Sequence, residues 1–91
     1  MAAITYTDGV ERDISTQECT MKVWLSPSTA DSADTVIVPT ITGSTLRVLE
    51  CFDCTTGDSV TATVSTFTVT LDAGGADTDS VYALTYMYEQ G

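Results

Sequence analysis

The sequence predicts an all-β domain, and three observations lead to that class. The chain has eighteen threonines and nine valines, residues that favour a pleated, half-buried surface over a helix. Short runs of alternating apolar and polar residues recur along it, and turn-forming Gly, Pro, Asp and Ser separate these runs. We therefore predict one domain over residues 1–91, a small antiparallel β-sandwich or barrel of about seven short strands.

The first half of the chain shows the clearest alternation. Residues 3–7 end at Asp8-Gly9, a pair typical of tight turns, whose glycine tolerates a positive φ. Residues 10–18 fit either an edge strand or one helical turn. One face of the next strand, residues 19–26, carries Thr20, Lys22, Trp24 and Ser26, and the other carries Cys19, Met21, Val23 and Leu25.

Three later runs carry irregularities. Residues 35–41 include Pro39, which cannot donate to a ladder, so this strand should lie at a sheet edge or carry a bulge. Residues 45–53 have apolar side chains on both faces, which indicates a central strand or a second surface covered by another subunit. Residues 59–71 change phase, and a bulge or tight turn near Ser65 would account for the change.

The charge balance excludes two classes of partner. Thirteen acidic residues against three basic ones give a net charge of −10. Nucleic acids and anionic membranes are bound by neutralising phosphates with Lys and Arg, so this chain should bind neither. The sequence has no signal-peptide pattern and no apolar run of ~18 residues, so we expect synthesis in a reducing cytoplasm with free thiols.

The pair Cys51-x-x-Cys54 is the one feature that resembles a chemical site. A structural zinc site needs four N or S ligands, yet the chain has no histidine and only one further cysteine, Cys19. Neighbouring carboxylates such as Asp53 would raise a thiolate pKa, which argues against redox catalysis. We interpret Cys51 as a buried strand residue and Cys54 as the start of a turn, while a Cys19–Cys51 bridge remains open under oxidising conditions.

We expect neither catalysis nor a cofactor. The absence of histidine removes the usual base near neutral pH, and the sequence contains no phosphate-binding loop and no nucleophile elbow. Asp72, Asp77 and Asp79 in the glycine-containing loop 72–80 are candidate calcium ligands, although their spacing differs from that of an EF-hand.

Large aromatic residues are the best candidates for an interface. They are Trp24 and Phe52, together with Tyr82, Tyr86 and Tyr88 on one face of the alternating run 81–89. The simpler interpretation is that this face packs the domain's own core. The other face of the same run is also apolar, so this strand fits between its own core and a neighbouring subunit.

Small size, acidity, abundant threonine, the all-β pattern and the lack of histidine together resemble the small structural proteins of tailed bacteriophage virions, especially head decoration or cement proteins. The resemblance covers the whole chain and rests on composition and architecture. It implies a homo-oligomer, with a trimer favoured, that binds the major capsid protein or other virion proteins on the capsid exterior and stabilises the head through multivalent contacts. A phage tail or fibre component and an Ig-like domain of a bacterial surface or secreted adhesin are the alternatives.

Overall fold

The computed structural model describes residues 2–72 and 79–90 and contains two four-stranded β-sheets. The strands are β1 (Ala3–Ile4), β2 (Val10–Asp13), β3 (Thr20–Leu25), β4 (Asp34–Ile37), β5 (Ser44–Asp53), β6 (Thr61–Ser65), β7 (Thr68–Asp72) and β8 (Tyr82–Gln90). Sheet A has the order β1-β4-β7-β6, and sheet B has the order β2-β3-β8-β5. Neighbouring strands are antiparallel except β1, which is parallel to β4. The prediction of an all-β sandwich is confirmed.

The core lies between the two sheets, because alternate residues of each strand face the opposite sheet. The buried apolar cluster consists of Trp24, Ala30, Val36, Val38, Leu46, Cys51, Val60, Val69, Leu71, Tyr82, Leu84, Tyr86 and Tyr88. Burying one large apolar side chain contributes about 1.5–3 kcal/mol. This single layer therefore stabilises both sheets.

Strand β3 buries the face that has fewer apolar residues. Trp24 is completely buried, its ring is stacked on Tyr6 at a centroid distance of 5.5 Å, and its Nε1 donates to the Tyr6 carbonyl oxygen at 2.9 Å. The other side chains on the Trp24 side of β3 also point towards the core, because alternate side chains of a strand share one face. Consequently Met21, Val23 and Leu25 lie on the outside of sheet B.

Gly9 makes the packing on Trp24 possible. It follows a 3₁₀ turn at Tyr6–Asp8, but its φ is −96°, so the expected positive φ is not used. A β-carbon at this position would collide with the Trp24 indole and with the Leu25 carbonyl oxygen. Glycine is required here for space, since the backbone passes directly over the indole ring.

A β-bulge explains the apolar residues on both faces of β5. The pairing of β5 with β8 shifts between Val48 and Glu50. Leu46 and Val48 therefore face the core before the bulge, and Cys51 and Asp53 face it afterwards. Strand β5 is an edge strand of sheet B, so the prediction of a central strand is wrong.

The other irregularities of the sequence fall at strand ends. Val10–Asp13 form the edge strand β2, which confirms one of the two alternatives for residues 10–18. Strand β4 ends at Ile37, before Pro39, and lies between β1 and β7, so neither the predicted edge position nor a bulge is needed. A two-residue turn that begins at Thr66, with φ of 58°, separates β6 from β7 and confirms the predicted break.

No helix within residues 2–72 and 79–90 has the length and hydropathy to cross a membrane.

Candidate functional site on the outer face of sheet B

Four of the five predicted interface aromatics lie inside the domain. Trp24, Tyr82 and Tyr86 are 0% exposed, and Tyr88 is 2% exposed. Strands β3 and β8 are the two central strands of sheet B, and these residues occupy their inner faces. The interface prediction is wrong for these four side chains, because they form the domain's own core. Phe52 is partly buried and pairs with Ala83 on the outside of sheet B.

The outer face of sheet B is organised in rows that cross the strands, because directly paired residues of antiparallel strands share a face. The first row is Val10, Leu25, Ala83 and Phe52; the second is Arg12, Val23, Thr85 and Glu50; the third is Met21, Met87 and Arg47. The first row is apolar across all four strands.

The first row is an apolar stripe at the molecular surface. Val10 is 58% exposed and Leu25 is 37% exposed. Ala83 is only 4% exposed, since the larger Leu25 and Phe52 flank it on both sides. Antiparallel sheets that face water on one side normally alternate apolar-in and polar-out, and the continuous apolar row on the outside of sheet B departs from that pattern.

The charges on this face balance. The outward positions hold two basic residues, Arg12 and Arg47, and two acidic ones, Glu50 and Glu89. The face therefore carries no net charge, although the chain carries −10. Arg47 Nε lies 2.9 Å from Glu89 Oε2. Arg12 and Glu50 stand at the two ends of the second row, and neither forms an ion pair with any described residue.

The buried tyrosine hydroxyls form hydrogen bonds below this face. The Tyr6 hydroxyl donates to Glu11 Oε1 at 2.7 Å and lies 2.6 Å from the Tyr86 hydroxyl, while the Tyr88 hydroxyl donates to the Pro39 carbonyl oxygen at 2.5 Å. Burial raises the pKa of Tyr6 and of Tyr86 well above the usual range. Both phenols therefore stay protonated at neutral pH and stabilise the fold as hydrogen-bonding groups.

The cysteines do not form a common site with one another. Cys51 is buried, and burial raises the pKa of its thiol to about 12, with the nearby Cys54 as a second cause. Cys54 is exposed, as the turn prediction implied. Strand β8 separates Cys19, next to β3, from Cys51 on β5. At least two strand spacings, about 9–10 Å, exceed the Cα separation that a disulfide permits, so the Cys19–Cys51 bridge is excluded.

Two of the three candidate calcium ligands, Asp72 and Asp79, lie at the ends of the loop between β7 and β8. Asp72 ends β7, and the backbone N–H of Asp79 donates to Asp31 Oδ1 at 2.8 Å. Asp77 lies outside the described residues, so the calcium site stays a prediction. Within the part of the chain that the structure describes, no three metal-ligating side chains come together.

A groove of about 460 Å³ runs beside β1 at the edge of sheet A. Its lining residues are Ala3, Ile4, Thr5, Tyr6, Thr7, Thr35, Ile37 and Thr68. None of these side chains is charged, and the one ionisable group, the Tyr6 phenol, is held protonated. Four of the lining residues are threonines, so hydroxyl groups are the main polar groups of the groove.

The fold and the outer face of sheet B define a class: a small, acidic, two-sheet β-sandwich with one apolar outer face. Comparisons with family models, curated proteins and solved structures found no match. The outer face of sheet B is thus the feature on which a functional proposal can rest.

Proposed function

We propose that this chain is a viral structural protein, a capsid decoration or cement protein that binds the outer surface of a phage head and stabilises it. The observation that carries the proposal is the apolar row Val10, Leu25, Ala83 and Phe52, which crosses the whole outer face of sheet B. A surface of this kind belongs to a protein that works in contact with other protein subunits.

The size of the domain supports a role within an assembly. A chain of 91 residues buries only about 60–65% of its unfolded surface, so its stability gains from binding a partner by mass action. A capsid presents many equivalent positions, and an oligomer that engages several of them binds far more tightly than one subunit does. The net charge of −10 favours solubility and repels DNA, which fits a location on the capsid exterior.

The chemistry of the described side chains also supports binding rather than catalysis. The phenols of Tyr6, Tyr86 and Tyr88 and the thiol of Cys51 have pKa values raised by burial, so all four groups retain their protons at neutral pH. A protonated thiol is a poor nucleophile, and a protonated phenol is not a base. These groups stabilise the core beneath the outer face.

A head-binding experiment tests the proposal. Purified protein is mixed with undecorated, expanded heads assembled from the major capsid protein of the same genome, and binding is measured by cosedimentation. We expect saturable binding and a higher temperature of head disruption. Leu25→Lys should weaken head binding by more than about tenfold, because a charge within the apolar row disrupts the subunit contact on which multivalent head binding depends.

The matched control is Ile37→Lys, which introduces the same charge at a 63% exposed position on the outside of sheet A. This variant should bind heads like the unmodified chain. If the unmodified protein neither binds heads nor changes their heat resistance, the decoration role is refuted. Binding to tails but not to heads would instead identify a tail or fibre component.

A further inference from the structure

We propose that the outer face of sheet B binds a second copy of this chain, with the two sheets packed face to face about a two-fold axis. The axis runs parallel to the strands, between β3 and β8. This inference goes beyond the proposed function, because it assigns the apolar row to the contact between two copies, and the pair then engages a head through the rest of its surface as a bivalent unit.

The charge distribution permits self-association through this face. Two copies that each carry −10 repel one another, and the repulsion is smallest where the approaching faces are neutral. The outer face of sheet B holds Arg12 and Arg47, two of the three basic residues of the chain, opposite the charges of Glu50 and Glu89. It is thus an electrically neutral area of an acidic protein.

The order of residues within the second row makes the face complementary to itself. A two-fold axis between β3 and β8 places β2 of one copy over β5 of the other, so each residue faces the opposite end of the same row. Arg12 then faces Glu50 of the second copy, and the same contact occurs twice because the interface is isologous. Within one chain the two residues are three strand spacings apart, about 14 Å, too far to form an ion pair.

The apolar residues match under the same operation. Val10 faces Phe52 of the second copy, and Leu25 faces Ala83, so large side chains oppose smaller ones. Met21 faces Met87 in the third row, where flexible thioether side chains adapt to each other's shape. Sheets that pack face to face lie about 10 Å apart with interdigitated side chains, and these pairs fit that spacing.

The positions of Arg12 and Glu50 favour a second copy as the occupant. An unrelated partner would have to supply its own acid and base at matching positions, whereas a second copy presents both at the correct separation. The interface would also be dry at its centre, with the two charge pairs at its rim, as in other protein interfaces.

Charge reversal tests the register of the two copies. The dissociation constant of the pair is measured by sedimentation equilibrium, where we expect a reversible species of twice 9.6 kDa. Arg12→Glu and Glu50→Arg should each raise the dissociation constant by about tenfold or more, because each brings like charges together twice. The double variant R12E/E50R restores opposite charges and should return the constant to within about threefold of the original.

Two further variants keep the result unambiguous. Glu18→Arg makes the same charge change on an exposed loop and should leave the dissociation constant unchanged, while Leu25→Lys should give a monomer with an unaltered circular dichroism spectrum. A monomer at every concentration, a trimer, or a double variant as weak as the single ones would overturn the two-fold pairing. These measurements use no phage heads, so their outcome is separate from that of the head-binding experiment.

Discussion

The two outer faces of this β-sandwich differ sharply, although they cover the same core. The outside of sheet A is made mostly of hydroxyl residues. They include Thr35, Thr61, Thr63, Ser65, Thr68 and Thr70. The outside of sheet B carries the apolar row and four balancing charges. Threonine satisfies the preference of a strand for β-branched side chains and still binds water, so sheet A is suited to remain in solvent.

The apolar row is what distinguishes the outside of sheet B from the outside of sheet A. Threonine makes up most of the outer face of sheet A, although Ile37, which is 63% exposed, also lies on that face. The first row of sheet B is apolar across all four strands, and no row of the described strands of sheet A matches it. The following predictions test whether the two faces differ in this way.

The largest effect is expected at the core that both faces share. Trp24→Ala should lower the free energy of unfolding by about 3–5 kcal/mol, which is much of the roughly 5–14 kcal/mol expected for a domain of this size. Val23→Ala, one position away on the outer face, should cost about 1 kcal/mol or less. Urea unfolding followed by circular dichroism measures both. An equal loss for the two variants would contradict the assignment of inner and outer faces on β3.

An intermediate effect is expected from the ionisation of Cys51, whose pKa rises from 9.0 to about 12 on folding because the thiol is buried. The folded state retains this proton more strongly than the unfolded state does. Its contribution to stability is therefore complete below pH 9 and is lost as the pH rises towards 12. Thermal unfolding at a series of alkaline pH values should show this decrease, which the raised pKa values of Tyr6 and Tyr86 reinforce.

Thiol labelling isolates the contribution of Cys51. In the native protein, iodoacetamide should modify the exposed Cys54 rapidly and Cys51 only after unfolding, as followed by mass spectrometry. The control is a Cys54→Ser variant, in which neither position 51 nor position 54 should be labelled rapidly. Rapid modification of both residues would show that the inner side of β5 is open to solvent.

The smallest effect on stability is expected from the outside of sheet A. Replacing Thr35, Thr63 and Thr70 together by valine should change the free energy of unfolding by no more than about 0.5 kcal/mol per site. It should, however, create a second apolar face and hence oligomers larger than those of the original chain, measurable by light scattering. The matched triple serine variant should not associate further. If the valine variant keeps the original mass, the hydroxyl groups are not what distinguishes the two faces.

The sequence was sufficient to predict the fold class but not which side of each strand is buried. Alternation is a local property, so the runs around Trp24 and Tyr86 identified strands directly. The inward side of β3 depended on Tyr6 and Gly9, which lie far from Trp24 in sequence, and counting apolar residues on each side favoured the wrong one. The apolar residues on both faces of residues 45–53, with Glu50 among them, were visible in the sequence. Only the pairing of β5 with β8 showed that a bulge between Val48 and Glu50 causes this pattern.

The candidate site was less predictable than the fold. The aromatic residues drew attention first, and the structure placed most of them in the core. The apolar row and the Arg12–Glu50 relation depend on the strand order β2-β3-β8-β5, in which the last strand of the chain lies in the middle. Such an order is set by long-range pairing, and no local pattern encodes it.

The bulge in β5 has a consequence for growth of the assembly. An edge strand with regular spacing can accept the edge of another molecule, and repeated addition in this way produces fibres without limit. The shifted spacing between Val48 and Glu50 interrupts that template along one side of sheet B, and on one side of sheet A the edge strand Ala3–Ile4 has only two residues. Addition along these two edges is therefore disfavoured, and β5 and β1 each limit open-ended edge-to-edge association.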